Sequence, residues 1–219
     1  MYDEFNAPYR PIVRACHHCD QTLKCADAPV LIDKDRRKLF SVILDKFQNL
    51  STLLPERDSR RIASEMRAKL ETDFNIGLQK DRLEIRSMYI QAIPALVNLA
   101  GIESHLLSQI SRDLIRLEGH PDHWQELQFN HIKQFPDVDC PSCHKVVCFA
   151  CGLDGHSDQS CMENMAHQIA VASKTTSHIQ TLEWKLRHSK ACPRCRILIT
   201  RDDGCNKMEC SYCGYAFCW

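Results

Sequence analysis

Cys192 to Trp219, CPRCRILITRDDGCNKMECSYCGYAFCW, holds six cysteines, more than one zinc ion can use. Cys192-x-x-Cys195 and Cys210-x-x-Cys213 are two thiolate hooks with fourteen residues between them, the spacing of a tetrahedral four-cysteine site. Cys205 lies between the hooks, directly after Asp202-Asp203-Gly204, a turn-prone run. A cysteine held by a metal scaffold that does not need it is how a fold would present a reactive thiol. The same pattern of ligand types precedes this segment. Cys140-x-x-Cys143, Cys148-x-x-Cys151, His156 and Cys161 follow one another at four-residue intervals. Thiolate and imidazole so regularly placed suit knuckle-type zinc binding. A small buried apolar residue is the bland reading of any single cysteine, and it does not account for ten of them and a histidine in register.

These residues carry a resemblance. Residues 140–161, CPSCHKVVCFACGLDGHSDQSC, resemble the later part of the in-between-RING domain of the RING-between-RING ubiquitin ligases, the family of parkin and Ariadne. Residues 192–219 resemble the start of that family's second, catalytic RING. The joining TLEWKLRHSKACPRC is similar to its helical linker. Together the resemblance covers about a third of the chain. Residues 1–139 carry none.

The resemblance implies two zinc ions in the in-between-RING domain. Cys148, Cys151, His156 and Cys161 supply one complete site. Cys140 and Cys143 are the second half of the other, and its first pair is missing from the few residues upstream, since no cysteine occurs between Cys25 and Cys140. Two repairs are open. Cys16 and Cys19 can fold back, making the intervening region a long insertion, or two of His120, His123 and His131 can serve. The Cys-x-x-Cys hook is the more specific signal. Cys218 would belong to a further second-RING site whose other ligands lie beyond Trp219 in the family, so the chain is expected to be a fragment.

The implied activity is ubiquitin transfer from a conjugating enzyme to a thiol of the second RING and then to a substrate lysine. Cys205 is the matching thiol. Many family members place histidine two residues later as the base. This chain has Lys207, which can lower the Cys205 pKa but cannot accept a proton while charged. The first RING has no counterpart here. A non-catalytic zinc-binding adaptor is therefore the competing reading. Ubiquitin, a conjugating enzyme and a protein substrate are the expected partners, with no membrane or nucleic acid.

The elements that must position these residues are mostly helical. From about Asp33 to Phe135 apolar residues recur three and four apart, and the reading is a small helical bundle. Leu39, Ile43, Phe47, Leu50 and Leu54 form one stripe. Asp58 or Ser59 can cap the next helix. Leu83–Leu99 reads as a helix broken or bent at Pro94. Ile102–Leu117 and His123–Gln134 follow. Met165–His188 reads as a single helical arm between zinc modules. Ile197, Ile199, Tyr215 and Phe217 are expected to pack around the zinc, and Trp219 to pack or to touch ubiquitin. The expected fold is thus α with small zinc-stabilised β modules: an irregular segment (1–30), a helical region (31–135), an in-between-RING-like module (136–162), a helical linker (163–190) and a second-RING module (191–219).

Charge narrows the function. Lys+Arg and Asp+Glu both total 28, so the chain is neutral overall, without the basic excess of a nucleic-acid or membrane-surface binder. Residues 140–161 offer only Lys145 and Phe149 for zinc-knuckle nucleic-acid binding. Fourteen cysteines would make a disulfide scaffold in a secreted chain, but MYDEFNAPYRPIV is no signal peptide. The longest uncharged run, Ser87 to Ile102, contains Gln91, Pro94 and Asn98 and is too short to span a membrane. A reducing compartment, cytoplasm or nucleus, and zinc are the expectation.

Overall fold

The structure is a computed structural model. It describes residues 8–79, 83–99, 104–156, 159–173, 176–201 and 206–219. The chain separates into two compact units: residues 1–12 with 24–134, and residues 13–23 with 135–219.

The first unit is helical, built from α1 (Asp33–Leu53), α2 (Arg57–Gln79), α3 (Ile85–Leu99), α4 (Ser104–Arg116) and α5 (Pro121–Gln134). The buried stripe of α1 is Phe40, Ile43, Phe47 and Leu50, continued by Leu54. Phe40 takes the place expected of Leu39, because a 3-4-3-4 spacing follows the helix face more closely than a start at residue 39. The Phe40 ring stacks on Phe74 of α2 at 3.7 Å. Asp58 and Ser59 do not cap α2. The helix begins one residue earlier, at Arg57, which places both in its first turn. Pro94 does not end α3, which continues through it to Leu99. Helix α4 packs against α1, α3 and α5. Lys46–Asp113 (2.7 Å) pairs α1 with α4, and Arg86 holds Glu126 of α5 through two N–H groups at 2.7 and 3.0 Å. No described helix is long and apolar enough to cross a membrane.

A polar chain runs through this core. Tyr89 Oη lies 2.6 Å from Ser111 Oγ, which lies 2.8 Å from His131 Nδ1. Burial drives the His131 pKa down to about 3, with Arg112 acting in the same direction. The unfolded chain takes up a proton near pH 6.5 that the folded unit refuses, so this contribution to stability is full above 6.5 and is lost as pH falls toward 3. The unfolding free energy of the parent, from urea titrations, is expected to fall on acidification by up to about 1.4 kcal/mol per pH unit more steeply than that of His131→Gln. Parallel slopes for the two proteins would contradict it.

Among the described residues, the second unit contains eight short strands, less one residue of β2, and two helices. The strands are β1 (Val13–Ala15), β2 (Thr22–Lys24), β3 (Asp137–Asp139), β4 (Val146–Cys148), β5 (Ser189–Ala191), β6 (Leu198–Thr200), β7 (Lys207–Glu209) and β8 (Ala216–Cys218). They form four two-stranded ribbons, β1-β2, β3-β4, β5-β6 and β7-β8. Helices α6 (Cys161–Val171) and α7 (Ser177–His188) pack against each other. The expected single arm over 165–188 is therefore a helical pair. Thr176 Oγ1 accepts from Ile179 N–H and starts a new helix there, while Ser160 and Glu163 close a capping box at the start of α6.

Candidate metal centres and the thiol between them

Every ribbon of the second unit follows one plan: a three-residue strand, Cys-x-x-Cys, two more residues and a three-residue strand. The four copies begin at Val13, Asp137, Ser189 and Lys207. A fifth hook, Cys148–Cys151, starts at the last residue of β4. The backbone is the same in all five. The first cysteine's N–H donates to the carbonyl five residues on, and the N–H of the residue after the second cysteine donates back to the first cysteine's carbonyl. For the first hook these are Cys16 to Gln21 (2.9 Å) and Asp20 to Cys16 (2.8 Å); for the fifth-ordered, Cys210 to Tyr215 and Gly214 to Cys210 (both 2.9 Å).

The residue after each hook turns left-handed, at φ 59° for Asp20, 58° for His144, 78° for Gly152, 66° for Arg196 and 67° for Gly214. No other described residue has a positive φ in that region. The turn aims both sulfur atoms to one side, which makes the hook a ligand pair. At Gly152 the conformation coincides with a close approach, since a Cβ there would lie 2.7 Å from an Arg14 guanidinium nitrogen. Gly152→Ala is expected to cost about 1–2 kcal/mol from the left-handed backbone alone and more from displacing Arg14. Asp20→Gly should relieve strain at the equivalent place in the first hook. Thermal midpoints moving in opposite directions would check the pair.

Three ligand groups converge, each with its donor atoms within 4.8 Å of one another: Cys16, Cys19, Cys140 and Cys143; Cys148, Cys151, His156 and Cys161; Cys192, Cys195, Cys210 and Cys213. Within them Cys16–Cys143 is 3.7 Å, Cys19–Cys140 3.6 Å, Cys148–Cys161 3.9 Å, Cys192–Cys213 3.7 Å and Cys195–Cys210 3.8 Å between sulfurs. Zinc–sulfur bonds of about 2.3 Å in a tetrahedron put sulfurs about 3.8 Å apart, whereas a disulfide needs about 2.05 Å. The described cysteines are all free thiols. The donor sets and their spacing fit zinc.

The polar surroundings agree. His156 Nε2 lies 3.3 Å from Cys151 Sγ, while its Nδ1–H donates to the Gln159 carbonyl at 3.0 Å. That bond fixes the tautomer with a lone pair on Nε2, facing the sulfurs. The Cys140 thiol is drawn down to about 6, above all by the Cys143 backbone N–H, and Cys151 to about 3, first by the Cys148 thiol. In the same clusters Cys161 is pushed up, first by the Cys148 thiol, and Cys143 is raised although the Lys145 backbone N–H lowers it, through burial and the neighbouring thiols. The thiols thus share their charge unevenly; zinc needs all its sulfur ligands as thiolates and would ionise them together.

Of the two ways to complete the first site, the structure realises the long fold-back. Cys16 and Cys19 meet Cys140 and Cys143 across more than 120 residues of chain. The histidines lie elsewhere: His131 is in the helical core, and the rings of His120 and His123 lie 4.5 Å apart, tilted by 36°. Cys25 is buried in the helical unit with its thiol donating to the Gln128 carbonyl, and desolvation pushes its pKa up. Cys218 is exposed and joins no cluster among the described residues. Cys205, with Asp202, Asp203 and Gly204, lies outside the described residues. Ile197 and Ile199 are buried as expected, but Tyr215, in the turn before β8, is 42% exposed. Trp219 receives the Lys190 ammonium over its ring at 5.2 Å. His188 is the histidine nearest to Cys205 in sequence, with no spacing argument that links the two. Its Nδ1–H donates to the Trp184 carbonyl at 2.8 Å, and its own carbonyl accepts from Arg201 N–H at 3.2 Å.

Repeated ribbons of this kind, each carrying a Cys-x-x-Cys hook, are the architecture expected of in-between-RING zinc modules. The family described as the IBR domain matches residues 187–219. This is the segment whose resemblance is to the second RING, and the common ribbon plan of both modules accounts for the match. Over its zinc modules the chain is similar to the C-terminal part of RING-between-RING proteins named as E3 ubiquitin-protein ligases. It is similar to the E3 ubiquitin-protein ligase HEL1 of Saccharomyces cerevisiae, 37% identical over 92 residues, 42% of this chain and 16% of that protein. It is also similar to the probable E3 ubiquitin-protein ligase RNF144A of Xenopus tropicalis, 37% over 94 residues, 43% and 32%. The E3 ubiquitin-protein ligase ARIH2 of Mus musculus is 36% identical over 84 residues, 37% and 16%. The matched stretch thus spans between about a sixth and a third of these relatives' length. No solved structure matches the chain.

Proposed function

We propose that the chain is part of a ubiquitin-protein ligase that carries ubiquitin as a thioester on Cys205, working with a conjugating enzyme in the cytoplasm or nucleus. One observation supports this above others. Cys192, Cys195, Cys210 and Cys213 form a complete ligand set without Cys205, and Cys205 sits on the connection that leaves that set after β6 and returns to it at β7. The thiol is therefore spare by count and tethered at both ends by metal.

The chemistry is two acyl transfers. The Cys205 thiolate attacks the thioester carbonyl of the charged conjugating enzyme, and the enzyme's own thiolate leaves. A substrate lysine amine then attacks the new thioester, forming the isopeptide bond and releasing the Cys205 thiolate, while a base takes the amine proton. Lys207 is unsuited to that proton while charged. His188 is better placed by its bonding: with Nδ1–H donated to Trp184, its Nε2 keeps a lone pair, and its main chain is hydrogen-bonded to Arg201, four residues before Cys205 in the chain. His188 is our candidate for the base.

Incubation with a ubiquitin-charged conjugating enzyme tests both assignments. The parent should gain an adduct that reductant removes, Cys205→Ser one that resists reductant, and Cys205→Ala none. His188→Gln should still load but discharge to lysine roughly 100-fold more slowly, within the usual range for a lost general base. A folded, zinc-loaded chain extended through the further second-RING ligands that acquires no adduct would favour the adaptor reading.

A further inference from the structure

We propose that His17, His18 and Asp154 form a fourth metal site, separate from the sulfur-rich clusters and open to exchange with solvent. His17 and His18 are the two residues between the ligands of the first hook. Asp154 lies just beyond the fifth hook in space of the same unit, where it bridges Val147 across the loop after Cys151. His17 Nε2 is 3.0 Å and His18 Nε2 2.6 Å from the same carboxylate oxygen, Asp154 Oδ1. The two rings face each other at 3.9 Å, tilted by 40°. All three donor atoms fall within 4.8 Å of one another.

Hydrogen bonding alone is a poor account of this arrangement. One imidazole N–H on Asp154 would hold the two loops together. A second ring aimed at the same oxygen adds little, and two protonated rings at 3.9 Å would repel. A divalent cation uses both nitrogen lone pairs and the carboxylate at once. With bonds of about 2.1 Å, donors lie about 3.0 Å apart at the right angle of an octahedral ion, the His17–Asp154 separation, and about 3.4 Å apart around a tetrahedral one. The His18 contact would open by about 0.4 Å in the first geometry and about 0.8 Å in the second. Two imidazoles and a carboxylate suit zinc, nickel, cobalt or iron(II), a different preference from the thiolate clusters.

The setting also differs from theirs. The side chains of His17, His18 and Asp154 are 39%, 30% and 64% exposed, so an ion there keeps coordination positions for water or for a donor from a bound protein. The ion would tie the first hook, which serves one zinc cluster, to the loop beside Cys148 and Cys151, which serve the next. None of this depends on ubiquitin transfer.

The test is equilibrium dialysis of the full, zinc-loaded chain against micromolar zinc, with bound metal counted by mass spectrometry. Four equivalents are expected for the parent, three of them retained through a mild chelator wash and one lost. His17→Ala/His18→Ala and Asp154→Asn should each keep the three resistant equivalents and bind the fourth at least 100-fold more weakly. The conservative Asp154→Asn keeps a side-chain acceptor in the loop, so retention of three equivalents reports its folding. Imidazole ¹⁵N shifts of His17 and His18 should move as the fourth equivalent binds. A parent that stops at three equivalents, or a fourth that persists in both variants with unmoved imidazole shifts, would overturn the site.

Discussion

Replacing both Cys16 and Cys19 with serine is expected to reduce the tightly held zinc from three ions to two, while replacing His120, His123 and His131 leaves the count at three. The contrast isolates the long fold-back from the local alternative. The Cys19–Cys140 pair, 3.6 Å between sulfurs, spans 121 residues, and a hook retains a structural ion only when both halves are present. Structural zinc contributes an apparent 10 to 16 kcal/mol or so to small modules, comparable to the whole stability of a typical domain. The half-site left at Cys140 and Cys143 cannot replace it, so ribbons β1-β2 and β3-β4 should lose their order together. The separation itself is a minor obstacle. Closing a flexible loop costs only about 0.6 kcal/mol more for each doubling of its length, and here most of the loop is a folded helical unit. Zinc analysis of the purified variants, with amide spectra of residues 13–23 and 137–148, measures both effects. Three ions in the double serine variant would mean that the ligands of the first site are other than these four.

What the sequence made legible follows from how local each signal is. The hooks could be read directly, because both ligands of a pair sit within four residues and their types are chemically restrictive. The helices were legible from the spacing of residues such as Ile43, Phe47 and Leu50. The left-handed residue after each hook was not, since Asp20, His144 and Arg196 carry no glycine signal and the metal geometry overrides their preference. Three-residue strands are too short to show alternation, so the fourfold ribbon plan emerged only from the coordinates. The break between α6 and α7 rests on one cap at Thr176 inside a polar stretch that still looks helical in composition. His17, His18 and Asp154 were invisible for a different reason. Their meeting depends on 136 residues of intervening chain, and neither partner has a sequence pattern of its own.

Removal of zinc by a strong chelator should divide the molecule. The helical unit has its own core of buried large side chains, among them Phe47, Phe74, Tyr89 and Trp124, and none of the three zinc clusters draws a ligand from it. It should retain its fold and with it most of the far-ultraviolet helical signal, because α1 to α5 are the longer helices. The other unit has little to hold it without metal. Its ribbons are two-stranded and three residues long, a size at which a hairpin is at best marginal in water. Its buried residues include the ligands themselves: Cys16, Cys140, Cys148, Cys151, Cys192, Cys195 and Cys210 are all under 6% exposed. Stripped of zinc, those thiols become a set of mutually repelling groups when ionised and unsupported cavity walls when not. Limited proteolysis is therefore expected to spare a fragment of about residues 24–134 and to degrade 135–219, with zinc restoring protection. Tryptophan fluorescence gives an independent reading, since Trp124 is 1% exposed in the helical unit while Trp184 and Trp219 lie in the zinc unit. Simultaneous loss of helical signal and of the 24–134 fragment would show instead that the helical unit depends on the metal for its own stability. Retention of both units would place the stability of the ribbons in packing and remove zinc from its structural role.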